Sequence, residues 1–150
     1  MPIKNYTTSI ESEKTVAEIE MILARNGATK VMKEFDAEGG VVSVCFILPK
    51  NENELPFRLP LREEAVMLVL TTQNRKGRLP RSYVNKAQAR RIGWRILKDW
   101  VDSQMALVEI GMAKAEEVFM PYLYDYRSKR TLYEIAAAKG MQNFLLERPK

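Results

Sequence analysis

A chain of 150 residues with 46% apolar and 29% charged side chains falls within the range of one globular domain and outside that of a disordered chain. A single cysteine excludes an internal disulfide, zinc ribbons and thioredoxin-like pairs, and the absence of histidine excludes His-based triads and His-bearing metal sites. The net charge of +5 permits an acidic partner without requiring one.

No apolar run approaches the roughly 18–20 residues of a membrane span. No apolar signal core follows Met1, so no membrane contact is expected and the cytoplasm is the expected compartment. In chain order, Ile3 to Thr8 reads as a short first strand. Thr15-Val16-Ala17-Glu18 has the form of a capping box, followed by Val16, Ile19, Ile22 and Leu23 at helical spacing and by Asn26-Gly27 as a left-handed stop.

Two strands are predicted next, Thr29 to Phe35 and Val41 to Leu48, joined through Asp36-Ala37-Glu38-Gly39-Gly40. The second is apolar on both faces, which predicts a central strand covered on each side and a buried Cys45. Leu55 to Leu59, with Pro56 inside and Pro60 after it, reads as an edge strand. Residues 62–72 read as a helix. Asn74 to Ser82 reads as an exposed basic loop and a candidate hinge.

Asn85-Lys86-Ala87-Gln88 opens a second half expected to be helical as far as residue 150. It starts with one helix running without proline to about Phe119. Leu97, Val101, Val108, Met112, Ala115 and Phe119 form one apolar stripe, and Ile92, Ile96, Leu107 and Ile110 a second. Two faces need two coverings, and a partner subunit or the returning C-terminal segment would supply the second. Thr131-Leu132-Tyr133-Glu134 caps a final short helix ending near Gly140. The fold class is therefore α+β: one domain with a small, mainly antiparallel sheet of three or four strands, flanking helices, a long helix and a short last one.

Charge placement carries the functional signal. Lys86, Arg90, Arg91, Arg95 and Lys98 crowd the first turns of the long helix, against its macrodipole, and Arg75, Lys76, Arg78 and Arg81 precede them. A bound phosphate would resolve that conflict. The bland reading is a solvated face on which Asp99 and Asp102 pair with Arg95 and Lys98. Trp94, Tyr122 and Tyr124 are candidate platforms for a stacked base, with core packing the commoner role for such residues. Neither a Walker loop nor a dinucleotide fingerprint is present, and no metal or cofactor is expected. No pairing of carboxylates stands out, which leaves a carboxylate-based hydrolase or magnesium nuclease open behind a non-enzymatic reading.

Three stretches, Pro2 to Thr8, Arg91 to Val101 and Val118 to Leu123, resemble small proteins encoded in prophages and other mobile elements of Gram-positive bacteria. The likeness implies a setting in DNA metabolism, regulation or resistance to host defences, and it carries over no catalytic or binding residue. The expectation is a non-catalytic nucleic-acid-binding protein, working as a homodimer in the bacterial cytoplasm. The alternatives are an anti-defence protein that sequesters a nucleotide signal or blocks a host immune protein, and an assembly protein whose cations are merely solvated.

Overall fold

The β-branched and aromatic residues after position 40 form the strand around which the chain is built. The computed structural model describes residues 1–141, so the last nine positions of the expected helical half lie outside the described residues. Strands β1 (Lys30–Phe35), β2 (Val41–Lys50) and β3 (Asn53–Pro60) make an antiparallel sheet of order β1-β2-β3, with β2 central and the proline-bearing β3 at an edge. In the turn before β2, Asp36 Oδ1 accepts from the Glu38 and Gly40 amides. A bulge opposite Glu34 and Phe35 follows, and it turns Val41 rather than Val42 into the core.

One sheet face presents Val44, Phe46, Leu48, Phe57 and Leu59 to two helices, α1 (Ser12–Arg25) and α3 (Lys86–Glu109). These helices run parallel. Their starts share one cleft, Glu18 pairs with Arg95 midway, and Ile22 lies beside Met105 near their ends. A third helix, α2 (Glu63–Arg75), packs on α3 from the other side. There Leu70, Leu79, Ala89 and Ile92 form a second apolar cluster with Ile3, Tyr6 and Ile96.

That cluster corrects the coverings expected for Ile92 and Ile96 of the second stripe, which α2 and the N-terminal segment of the same chain supply, while Ile110 at the end of the stripe stays 68% exposed. The opposite sheet face is corrected too. Instead of an apolar cover it carries a polar network, in which Glu34 Oε1 accepts from Ser43 Oγ, from Arg58 Nε at 2.7 Å and from the half-buried Cys45 thiol at 3.7 Å.

Three local expectations fail for physical reasons. Residues 3–8 form turns, with Asn5 at φ 65°, because Gln88 Nε2 takes the carbonyls of Tyr6 and Thr8 and Gln73 takes the Ile3 amide. Thr15 lies inside α1, fully buried, and Glu18 reaches Arg95 instead of closing a capping box. The long helix stops at Glu109, since Gly111 adopts φ 81° and the Gly111 and Met112 amides bond back to Val108 and Leu107. The chain then returns through α4 (Ala115–Val118), which delivers Phe119 onto Phe46 and Trp100. A hairpin, β4 (Tyr124–Asp125) and β5 (Arg130–Thr131), leads into α5 (Leu132–Lys139), whose Thr131–Glu134 capping box forms as expected.

Candidate nucleic-acid interface

The start of α3 is fixed by Asn85, whose Oδ1 accepts from the Gln88 amide at 2.8 Å. From this start Arg90, Arg91, Arg95 and Lys98 radiate into four different surroundings. Arg90 is clamped between Asp36 and Glu63, with Nε 2.6 Å from Glu63 Oε2, and the two carboxylates hold its guanidinium charged. In return the Arg90 guanidinium, ahead of the Gly40 amide, draws Asp36 below its usual value. Arg95 meets Glu18 at 2.8 Å, and Lys98 lies 3.9 Å from Asp102. Arg91 spends two of its donors on Gln88 Oε1, at 2.7 and 2.9 Å.

The conflict with the helix dipole is therefore resolved inside the protein, by acids from α1, α2 and the turn after β1. In the cleft of about 360 Å³ at the α3 start, Glu11, Glu13 and Glu38 face Lys86, Arg90 and Arg91, leaving no surplus of positive charge. Arg90, Arg91, Arg95 and Lys98 thus do not form the common phosphate-binding face expected of them. The bland reading holds for Lys98. Asp99 pairs with Lys4 at 3.0 Å rather than with Arg95.

The loop preceding α3 behaves differently. Arg75, Lys76, Arg78 and Arg81 are exposed and have no acidic partner among the described residues. Their backbone is nevertheless held. Gly77 takes φ 73°, its amide and that of Arg78 bond back to Asn74 and Gln73, and Asn74 Nδ2 donates to the Leu79 carbonyl. Leu79 is buried in the second cluster and anchors the loop, a role its polar surroundings in the sequence conceal. Arg75 and Lys76 also lie at the C-terminal end of α2, where a macrodipole favours cations.

The aromatic candidates separate as well. Trp94 is 0% exposed and is a core residue, not a platform. Tyr122 packs edge-on against Trp100, and Tyr124 lies between Tyr126 and the Arg58 guanidinium. The ring left open is Tyr126, 63% exposed at the tip of the β4–β5 hairpin and followed by the exposed Arg127, Lys129 and Arg130. Alternation of Tyr122, Tyr124 and Tyr126 marks the segment in the sequence, while the choice among them depends on which rings find partners in the fold.

Among the described residues no group of three or more His, Cys, Asp or Glu side chains could hold a metal ion, and no helix is long and apolar enough to cross a membrane. Fold and site together define an α+β domain, a three-stranded sheet under paired helices, with a basic loop at the α2–α3 connection. Compared with protein-family models, with curated proteins and with solved structures, the chain shows no match.

Proposed function

We propose that the protein is a non-catalytic nucleic-acid-binding protein of phage or mobile-element origin, which holds the phosphate backbone through Arg75, Lys76, Arg78 and Arg81. The observation that carries this reading is a run of four exposed cations, none met by an acid among the described residues, on a loop pinned by Leu79 and the Gly77 turn. A loop of this kind presents charge to an extended polyanion, not to a small ligand in a pocket. Arg127, Lys129 and Arg130 beside Tyr126 supply a second cationic surface. The origin rests on the sequence resemblance alone. Sequestration of a nucleotide signal is less favoured, because Trp94 is buried and the cleft at the α3 start is charge-balanced.

The test is fluorescence anisotropy with labelled duplex and single-stranded oligonucleotides. Four phosphate contacts give a slope of log K against log salt of roughly −3 to −4, so affinity falls by roughly 50- to 150-fold between about 50 and 200 mM salt. Replacing Arg75, Lys76, Arg78 and Arg81 together with glutamine flattens that slope, leaving only what the second cationic surface contributes. Arg95→Gln, which removes a cation already paired with Glu18, leaves it in place. Binding that is absent at low salt, or unchanged in the fourfold variant, overturns the reading.

A further inference from the structure

One edge of the molecule carries two unfinished layers at once. In the sheet, β1 has β2 on one side and, among the described residues, no strand on the other. The Val42 carbonyl accepts from the Leu61 amide just past β3, and the Ile47 carbonyl faces β1, where it accepts from Thr29. Ser43, Cys45 and Ile47 therefore bond Glu34, Met32 and Lys30 opposite them, and by alternation the amides of Val31 and Lys33 point away from the sheet, toward open space. In the helical layer, Ala17, Met21 and Ala24 recur at i, i+4 and i+7 on the outer side of α1, all exposed. Between the layers runs a groove of about 510 Å³ whose apolar lining is Ala17, Met21, Ala24, Ala28 and Val31, with Glu20, Thr29 and Lys30 also along it. Met21 above the sheet and Met32 on its far face are 55% and 56% exposed.

The pattern of β1 is its own complement. Turned antiparallel about Met32, Lys30 falls opposite the partner's Glu34 and Glu34 opposite the partner's Lys30, with the two Met32 side chains meeting on the axis. All three are positions whose backbone serves β2, so across the new pair they meet as the closer, non-hydrogen-bonded pairs, while Val31 and Lys33 exchange the hydrogen bonds. Sliding the register by one residue toward the C-terminus sets Lys33 against its own copy, which like charge disfavours. Lysines at a sheet edge commonly discourage pairing, and here the register that neutralises Lys30 is also the one that buries Met32.

The helical layer fits the same axis. Because α1 lies over both β1 and β2, and strands are about 4.8 Å apart, a two-fold axis half a spacing beyond β1 puts α1 about 10 Å from its counterpart. That is the separation of packed helices, about 8–10 Å, and alanines at the contact allow it. We propose that the occupant of this edge is a second copy of the chain, docked antiparallel through β1 to make a six-stranded sheet and through the Ala17–Met21–Ala24 face of α1. The dimer so formed uses neither the basic loop nor α3 and is independent of the nucleic-acid reading.

Mass from light scattering on the eluting protein, at tens of micromolar, tests the proposal. The wild type runs at twice the 17.3 kDa of the chain. Lys33→Pro removes an amide that β2 does not use, and Met21→Glu charges the helix face. Each halves the mass while circular dichroism stays that of the folded protein. Met32→Cys in a Cys45→Ala background forms a disulfide-linked dimer on mild oxidation, whereas Leu68→Cys on α2, exposed but away from this edge, in the same background does not. A wild type that is monomeric, or a dimer that survives both Lys33→Pro and Met21→Glu and fails to crosslink through position 32, overturns the proposal.

Discussion

Phe119 and Met112 belong to the same stripe of the sequence, yet the break at Gly111 sends them to opposite fates. Phe119 is 0% exposed and touches Phe46, Phe57 and Trp100, with ring centroids 5.1, 6.0 and 5.6 Å away. Met112 is 73% exposed. Truncating a buried phenylalanine to alanine costs about 3–5 kcal/mol, through lost transfer energy and the cavity left behind. The melting entropy of a chain this long is about 0.3 kcal/mol per kelvin, so Phe119→Ala lowers the melting temperature by about 10–16 °C. Met112→Ala stays within about 0.5 kcal/mol of the wild type, as surface substitutions do. Urea unfolding followed by tryptophan fluorescence measures both. Equal losses in the two variants, or a loss at Phe119 below about 1 kcal/mol, would refute the folded-back arrangement and restore one uninterrupted helix.

Three further outcomes follow from the same geometry. Gly111→Ala places a side chain at φ 81°, and although nothing crowds the site the strain costs about 1–2 kcal/mol, with Gly111→Asn losing less in the same urea titration. Hydrogen bonds from Ser43 and Arg58 hold the Glu34 carboxyl below its usual 4.5, and the Thr131 amide does the same for Glu134. Groups depressed on folding stabilise above the unfolded value and lose that contribution as pH falls through the folded one, so the urea midpoint drops below about pH 4.5 and Glu34→Gln flattens the drop. Burial, reinforced by the charge of Glu34, pushes the Cys45 thiol above its usual 9.0, and its alkylation near pH 8 is accordingly slower in the native protein than in the urea-unfolded chain.

Elements that depend on short-range pattern are legible in the sequence. The central β2, the proline-bearing β3, the Asn85 cap and the Thr131–Glu134 box form where alternation, turn residues and capping pairs place them. Elements that depend on a distant partner are not. Residues 3–8 have strand-like composition, yet Gln73 and Gln88, far along the chain, take their backbone groups and bend them into turns. Ile110-Gly111-Met112 reads as a tolerable interruption of helical periodicity until the reward of burying Phe119 decides for a turn. The same division runs through the candidate site. Five cations against a helix dipole are visible in one dimension, whereas Asp36, Glu63 and Glu18, which satisfy Arg90 and Arg95, come from three other elements. What survives as a candidate is the loop whose cations have no such counterpart among the described residues.

The parallel pairing of α1 with α3 has a consequence for how the chain emerges during synthesis. The sheet is complete at Pro60, but the helix that covers half its apolar face, with Trp94 at the centre, ends at Glu109. At about 5–20 residues per second, those intervening residues take roughly 2–10 s to be made, and through that interval Phe46, Phe57 and Leu59 have only α1 above them. The nascent chain is thus most prone to aggregate, and most in need of a chaperone, while α2 and the basic loop are leaving the ribosome.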